Sequence, residues 1–529
     1  LRVLEYFLPV AALVGLGMLV WNCVEVGRND ACNLVNAVFG ARALRRNVAV
    51  TVAAVAVVLG ATAGSPVIDT ARQGMFDPSL MTVQMAMAIY ISVYFVNTVM
   101  LYGFSAFGMP VSTTACMVFS LIGAALFLSG GENVDWPRAT TVVTAIVISI
   151  VISGIASFLF MRIFRGAIRD KTGDPETVMA HGPWIAGLIM MGLAWFLVFK
   201  GLRGIEAVRV FKSQVFDTYG EPMTLLFIWA AMTLVTHLFL AAAREWGARY
   251  LFHAMAVLGM VAMAFAFGQN DLANCAAPGL AAFTLWRGSV AEGRVLTDIA
   301  GIAAQVSIPM WALFACGVLM ASGMFTPYAQ RVTRAAVNTA SQFDQVDLYA
   351  PKWCKALARL LVKRPAAGPS LAPEPARDER GKKIHFDTLR AAVITGISAG
   401  VIAYASGRGL PVSTTYVAFA AILGTGISDR VFSTRGDAEL KVGRAIWVVT
   451  CWFIAPVISI VATGAIVLLV YHLAIWGMAA AMGLNLLVRW LIKRRSDRHE
   501  SIYHLHHGAH DGDDGMPLEE PEKDAARSE

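Results

Sequence analysis

Two short motifs each occur twice in this chain, in the same order. Gly27-Arg28-Asn29-Asp30-Ala31-Cys32-Asn33 recurs as Gly268-Gln269-Asn270-Asp271-Leu272-Ala273-Asn274, 241 residues on. Gly108-Met109-Pro110-Val111-Ser112-Thr113-Thr114 recurs as Gly409-Leu410-Pro411-Val412-Ser413-Thr414-Thr415, 301 residues on. The offsets differ by 60 residues, about the size of a polar stretch at 322–387. One duplication with one inserted loop explains both.

The surroundings of these motifs are apolar. Hydrophobic residues make up 57% of the 529 and charged residues 15%, against roughly 45–50% and about 25% in soluble domains. Mean hydropathy is +0.61. Such a composition excludes a cytosolic enzyme, a disordered scaffold and a nucleic-acid-binding domain. A bilayer core about 30 Å thick needs about 20 apolar residues in a helix. Runs 4–26, 48–68, 82–107, 139–164, 183–200, 222–243, 250–267, 300–321, 388–406, 444–470 and 472–492 meet that test. Runs 114–129 and 414–427 are shorter and each follows a Gly-x-Pro sequence, which suggests second halves of broken helices. The first run is too long for a signal-peptide core and lacks a cleavage pattern, so it is read as a span. The seven cysteines show no CxxC spacing, which argues against a disulfide framework or a zinc site.

Loop charges set the expected orientation. Loops after odd-numbered runs carry Arg42, Arg45, Arg46, Arg162, Arg165, Arg169 and Lys171, the 322–387 insertion, and Lys493-Arg494-Arg495. The positive-inside bias therefore puts the N-terminus outside and the insertion and tail in the cytoplasm. Seven runs precede the second copy, so the two copies enter the membrane in opposite directions. The expected organisation is repeat A at 1–200, a connecting span at 201–244, repeat B at 245–492 and a charged tail at 493–529. The fold class is then an all-α polytopic membrane protein: two inverted-topology repeats whose broken or re-entrant helices meet at a mid-membrane site. The 322–387 segment reads as a solvated cytoplasmic loop, with a surface-lying amphipathic helix as the alternative. The tail reads as disordered; its His504, His506, His507 and His510 are potential metal ligands with no fixed geometry.

The motifs carry a chemistry. Gly followed by Asn-Asp at the end of an apolar run is expected to interrupt the helix, which is tolerable at membrane depth only where backbone lines a cavity. An aspartate there costs on the order of 3 kcal/mol, so Asp30 and Asp271 at matched positions call for a functional return. A carboxylate beside amide oxygens suits an oxygen-ligated cation or a proton. Pro before Ser-Thr-Thr preorganises a helix start, whose N–H groups and hydroxyls form an anion site.

Taken together, the paired Gly-x-Asn-Asp-x-x-Asn and Pro-Val-Ser-Thr-Thr motifs resemble those of the inorganic phosphate transporter (PiT) family, over about residues 1–200 and 245–490. The resemblance implies an integral, multi-pass symporter, in a bacterial inner or plasma membrane, that imports inorganic phosphate with Na⁺ or H⁺. It implies a substrate site of Asn29, Ser112, Thr113, Thr114, Asn270, Ser413, Thr414 and Thr415. Asp30, Asn33, Asp271 and Asn274 would serve the coupling cation, with Asp30 and Asp271 as metal ligands if the ion is Na⁺. No cofactor, enzyme activity or nucleic-acid partner is implied; the bilayer is the setting, and a homo-oligomer is compatible. Departures from the family pattern are Arg28, Gln269, Asn36, Ala277 and Tyr416. A permease of the same fold for sulfate or another tetrahedral oxyanion is the near alternative. A membrane-embedded enzyme or a passive anion channel is the distant one. The clustered Arg/His that phosphatase chemistry needs are missing, and so is a Gly-x-x-x-x-Gly-Lys-Ser/Thr loop for ATP.

Overall fold

A computed structural model describes residues 2–64, 67, 75–76, 81–169, 171–201, 206–291, 309–342, 349–362, 384–432 and 438–507. The first half comprises α1 (Arg2–Gly40), α2 (Arg46–Ala63), α3 (Val83–Ala106), α4 (Thr113–Ser129), α5 (Trp136–Ile168) and α6 (Pro175–Leu193), which runs into a π-helical turn, Ala194–Gly201. After α7 (Glu206–Tyr219) comes α8 (Glu221–Ala291), bent at Arg244 (φ 49°). The second half continues through α9 (Met310–Met324), α10 (Pro327–Ala340), α11 (Lys352–Leu361), α12 (Thr388–Gly407), α13 (Thr414–Ser428) and α14 (Ala438–His507), bent at Ala474 (φ 47°). Among the described residues, eight helices are long and apolar enough to cross a bilayer, or nine when the α9–α10 pair, bent by 67°, counts as one span. The protein is an integral, multi-pass membrane protein.

Glycines set how closely these helices pack. A Cβ on Gly27 would lie 1.8 Å from the Met320 carbonyl oxygen, and one on Gly323 would lie 2.0 Å from that of Val24, so α1 and α9 touch backbone to backbone. The same happens between α2 and α8, where a Cβ on Gly268 would lie 2.3 Å from Val57 O and one on Gly60 2.0 Å from Phe265 O. Small residues that let backbones meet are how helices associate where lipid removes the hydrophobic drive. Gly27→Ala and Gly268→Ala should therefore lower the thermal inactivation midpoint in detergent, although alanine is the better helix former by about 1 kcal/mol. Gly17→Ala, whose Cβ would meet nothing within 4 Å, serves as the control and should not lower it.

Three expectations are corrected. Helices α1 and α8 run unbroken through Gly27–Asn33 and Gly268–Asn274. The glycines serve close packing, and the helical backbone satisfies itself while only side chains turn to the interior. Second, the start of the 322–387 stretch is not a solvated loop. Helix α10 buries Ala329, Val332, Ala336 and Val337. Beyond it, Gln342 Nε2 donates to Asp387 and Asp429, and Arg165 pairs with the same two carboxylates at 2.5 and 2.8 Å. Burial raises the Asp387 carboxyl, but Arg165 outweighs it and holds the group below its usual range. Helix α11 is amphipathic: Cys354 and Ala358 are buried, while Leu360 and Leu361 are exposed. Third, the tail stays helical to His507, and Ser496 is buried with its hydroxyl on Ala106 O at 2.8 Å. The stretch 300–308, residues 363–383, and the tail from 508 with His510 lie outside the described residues.

Candidate functional site

The four motif segments converge at the centre of the helix bundle. Gly108 (φ +63°) and Gly409 (φ +74°) adopt a left-handed conformation that favours glycine, turning the chain out of α3 and α12. The following Pro-Val-Ser segments are extended, and α4 and α13 begin at Thr113 and Thr414. Ser112 and Ser413 are the N-caps, their hydroxyls accepting from Ala115 N at 2.9 Å and Tyr416 N at 3.1 Å. A serine cap satisfies one of the N–H groups orphaned at a helix start.

Each aspartate is completed by a hydroxyl from the other half of the chain. Thr415 Oγ1 donates to Asp30 Oδ1 at 2.8 Å, and Thr113 Oγ1 donates to Asp271 Oδ1 at 2.7 Å. The asparagines three residues on bridge the same groups. Asn33 Nδ2 donates to Asp30 Oδ1 (3.0 Å) and Thr415 Oγ1 (2.9 Å); Asn274 Nδ2 donates to Asp271 Oδ1 (2.9 Å) and Thr114 Oγ1 (2.7 Å). The remaining pair anchors the extended segments. Asn29 Oδ1 accepts from Val111 N at 3.4 Å, and Asn270 Oδ1 accepts from Val412 N at 3.2 Å. The two crossing points also meet each other: Thr114 Oγ1 donates to Val412 O, and Thr415 Oγ1 lies 3.1 Å from Val111 O, which competes with Asp30 for its one proton. Swapping the halves reproduces the asparagine bonds and the contacts between the crossing points, but the two aspartates take non-equivalent threonines, Thr415 being the counterpart of Thr114 and Thr113 that of Thr414.

All twelve residues singled out from the sequence lie in this one cluster, and all are buried. Its electrostatics are unbalanced. The hydrogen bonds described for Asp30 and Asp271 come from hydroxyls and amides, none from Lys, Arg or His. Among the described residues, Asp30 Oδ2 and Thr414 Oγ1 have no partner within good hydrogen-bond geometry. A buried carboxylate without a cation is unfavourable by several kcal/mol. Such a site calls for a positive charge, and two helix N-termini add donors for an anion beside it.

Other residues fall outside it. Tyr416 stacks on Trp452 at 4.1 Å and donates to its carbonyl, away from the carboxylates. Gln269 Nε2 donates to Gly64 O. Arg28 turns to Glu25, with 2.9 Å to both carboxylate oxygens. Two contributors are absent from the sequence reading: Ser105 accepts from Asn29 Nδ2 at 3.0 Å, and Ser406 donates to Asn270 Oδ1 at 3.4 Å. Their own spacing of 301 residues, three before each turn glycine, is the signal that marks them.

Comparison with known proteins bears on what such a site is for. The profile of the phosphate transporter family matches residues 26–346. A Thermococcus kodakarensis protein named "Putative phosphate permease" is 25% identical over 87% of this chain and 97% of its own length. One of the same name from Pyrococcus furiosus is 24% identical over 86% and 94%. Among solved structures, "The sodium-dependent phosphate transporter" superposes with a TM-score of 0.60 at 20% identity, covering 88% of this chain and 98% of that one.

Proposed function

The chain belongs to the phosphate transporter family, and from that premise we propose that it is a secondary symporter importing inorganic phosphate with a cation. Phosphate transport comes from the family; the coupling rests on the site. Two buried carboxylates hydrogen-bonded only to neutral groups are the observation that carries it. In this reading Asp30 and Asp271, with Asn33 and Asn274 orienting them, hold the cation. Ser112, Thr113, Thr114, Ser413, Thr414 and Thr415, with Asn29 and Asn270, line the phosphate position beyond the starts of α4 and α13. Cation binding offsets the charge of the carboxylates, and only then is phosphate tolerable beside them. Obligatory coupling follows from that electrostatic order. Carboxylate and hydroxyl oxygens suit a hard cation, and we take that cation to be Na⁺, in keeping with the name of the related structure.

Alternating access follows if repeat A (1–200) and repeat B (245–492), joined through 201–244, are inverted copies that rock about the shared site. The exchange of hydroxyls between the halves supports this: moving one half against the other breaks Thr415–Asp30 and Thr113–Asp271 together.

Proteoliposomes with separately imposed Na⁺ and pH gradients test the proposal. Labelled phosphate should accumulate under an inward Na⁺ gradient and not under a pH gradient alone. Excess sulfate should leave that uptake unchanged. Uptake driven by the pH gradient alone would make the ion H⁺, equal competition by sulfate would make the substrate a broader oxyanion class, and gradient-independent flux would mean a channel.

A further inference from the structure

Beside the motif cluster, which it touches at Gly108 and Met109, a cavity of about 1070 Å³ lies between α3, α10 and the two arms of the bent helix α14. That is at the upper end of the roughly 300–1,000 Å³ of ordinary ligand sites, far more than an inorganic ion needs. Its two ends differ. Toward the bend, the walls are apolar: Phe95 and Met100 from α3, Ile458 and Ile466 from the first arm, Ala481 and Leu484 from the second. Ile458 and Leu484 are 42% and 48% exposed, so this end opens sideways between the arms. At the other end stand Arg331 and Arg334 of α10, Arg444 of the first arm and Arg495 of the second. Among the described residues, none that lines it is acidic.

Arg444 is the informative one. It is 4% exposed, yet no carboxylate among the described residues pairs with it. Its Nη1 and Nη2 donate to the carbonyls of Tyr349 and Gly108 at 3.0 Å each, and its Nε has no partner. A buried guanidinium lining a cavity with its Nε unused, among described lining residues that carry no negative charge, is placed to take an anion. Arg331 is differently placed, paired with Asp497 at 3.4 Å and bonded to Ser496 at 2.7 Å.

We infer that this cavity binds one anionic phospholipid, its acyl chains between the arms of α14 and its headgroup phosphate among Arg334, Arg444 and Arg495. An apolar trough that opens into the bilayer fits acyl chains, and an arginine rim fits a phosphodiester through charge-assisted hydrogen bonds. The loop-charge bias puts this rim on the cytoplasmic side, where anionic lipids concentrate and basic pockets between helices take their headgroups. The lipid would also abut the transport site. Gly108 and Met109 line the cavity, and Gly108 O is held by Arg444, so a bound headgroup braces the turn that leads to Ser112.

The test is native mass spectrometry of the delipidated full chain, incubated with phosphatidylglycerol or with phosphatidylcholine of the same acyl chains. Wild type should retain the anionic lipid several-fold over the zwitterionic one. The rim double variant Arg334→Gln/Arg495→Gln, at a half-buried and an exposed position, should keep a monodisperse fold and lose that preference. Ala462→Phe/Ala481→Phe should fill the trough and lower retention of both lipids. Equal retention of the two lipids by wild type, or unchanged selectivity in the rim variant, would overturn the inference. So would displacement of phosphatidylglycerol by millimolar inorganic phosphate, which would make the arginine end a vestibule for the free ion.

Discussion

Replacing Asp30 or Asp271 with asparagine should stop cation-coupled phosphate uptake while leaving the protein at least as stable as the wild type in cation-free buffer. The two halves of that expectation come from one feature. Asparagine keeps an oxygen in place of Oδ1 to accept from Thr415 and Asn33, or from Thr113 and Asn274. The network persists in full at position 30, whereas at position 271 the one bond that Oδ2 accepts from Asn270 Nδ2 is lost, about 1 kcal/mol against several for the charge. What disappears is a negative charge that is buried with no positive partner, and removing such a charge relieves the folded state. Stability and activity then move in opposite directions, as they do when a site is built for function against folding. The cation that neutralises the charge stabilises wild type by mass action, so Na⁺ should raise its inactivation midpoint and leave the variants' unchanged. Loss of about 3 kcal/mol of cation affinity, the lower end for stripping a buried charge of its partner, corresponds to on the order of a hundredfold weaker binding. Uptake assays in proteoliposomes and thermal inactivation with and without Na⁺ measure both. Variants that insert and transport at near wild-type rates would remove these residues from the coupling role.

The sequence and the structure agree most closely where the duplication supplies redundancy. Asp30 and Asp271 stand out because each occurs at a matched position inside an apolar run, and composition makes an unpaired charge there conspicuous. The turns at Gly108 and Gly409 are legible for a similar reason, since Gly-x-Pro before a Ser-Thr-Thr cap is local chemistry. The exchange of Thr113 and Thr415 between halves is not local, and no spacing rule predicts which half's hydroxyl meets which carboxylate. The glycine of the Asn-Asp motif misleads for a physical reason. Glycine serves equally to end a helix and to let two helices touch, and only the presence of Met320 O and Val57 O beside Gly27 and Gly268 decides between them. Polarity misleads at α10 as well. Its arginines suggest a solvated face, but Ala329, Val332, Ala336 and Val337 lie on the opposite side and pack inward.

Arg28 and Glu25 close the second large expectation, because the structure adds a partner that their spacing could not reveal. Glu25 is fully buried and takes a second guanidinium: Arg489 Nη2 donates to Oε1 at 2.7 Å from 464 residues away, beside the Arg28 contacts and one from Trp21 Nε1. Arg489 lies over the rings of Trp21 and Tyr102 at 4.2 and 4.5 Å and donates to Thr98 O. Arg28 reaches Thr326, at the bend between α9 and α10. One carboxylate thus joins α1, α3, the α9–α10 bend and the second arm of α14. Two cations on one anion make the three positions unequal. Glu25→Gln leaves the buried Arg489 and the half-buried Arg28 guanidinium facing each other and should destabilise by about 3 kcal/mol, read as a large fall in inactivation midpoint and expression. Arg28→Gln should do least, since Glu25 keeps Arg489 and the lost side chain is 15% exposed. Arg489→Gln should fall between them, and Glu25→Gln/Arg489→Gln should recover part of the single loss, because the repelling pair is gone. Additive losses in that double variant would mean that the three groups do not act as one node. A stably expressed Arg28→Gln with a several-fold higher KM for phosphate, beside a silent Glu25→Gln, would instead move Arg28 from the scaffold to the substrate.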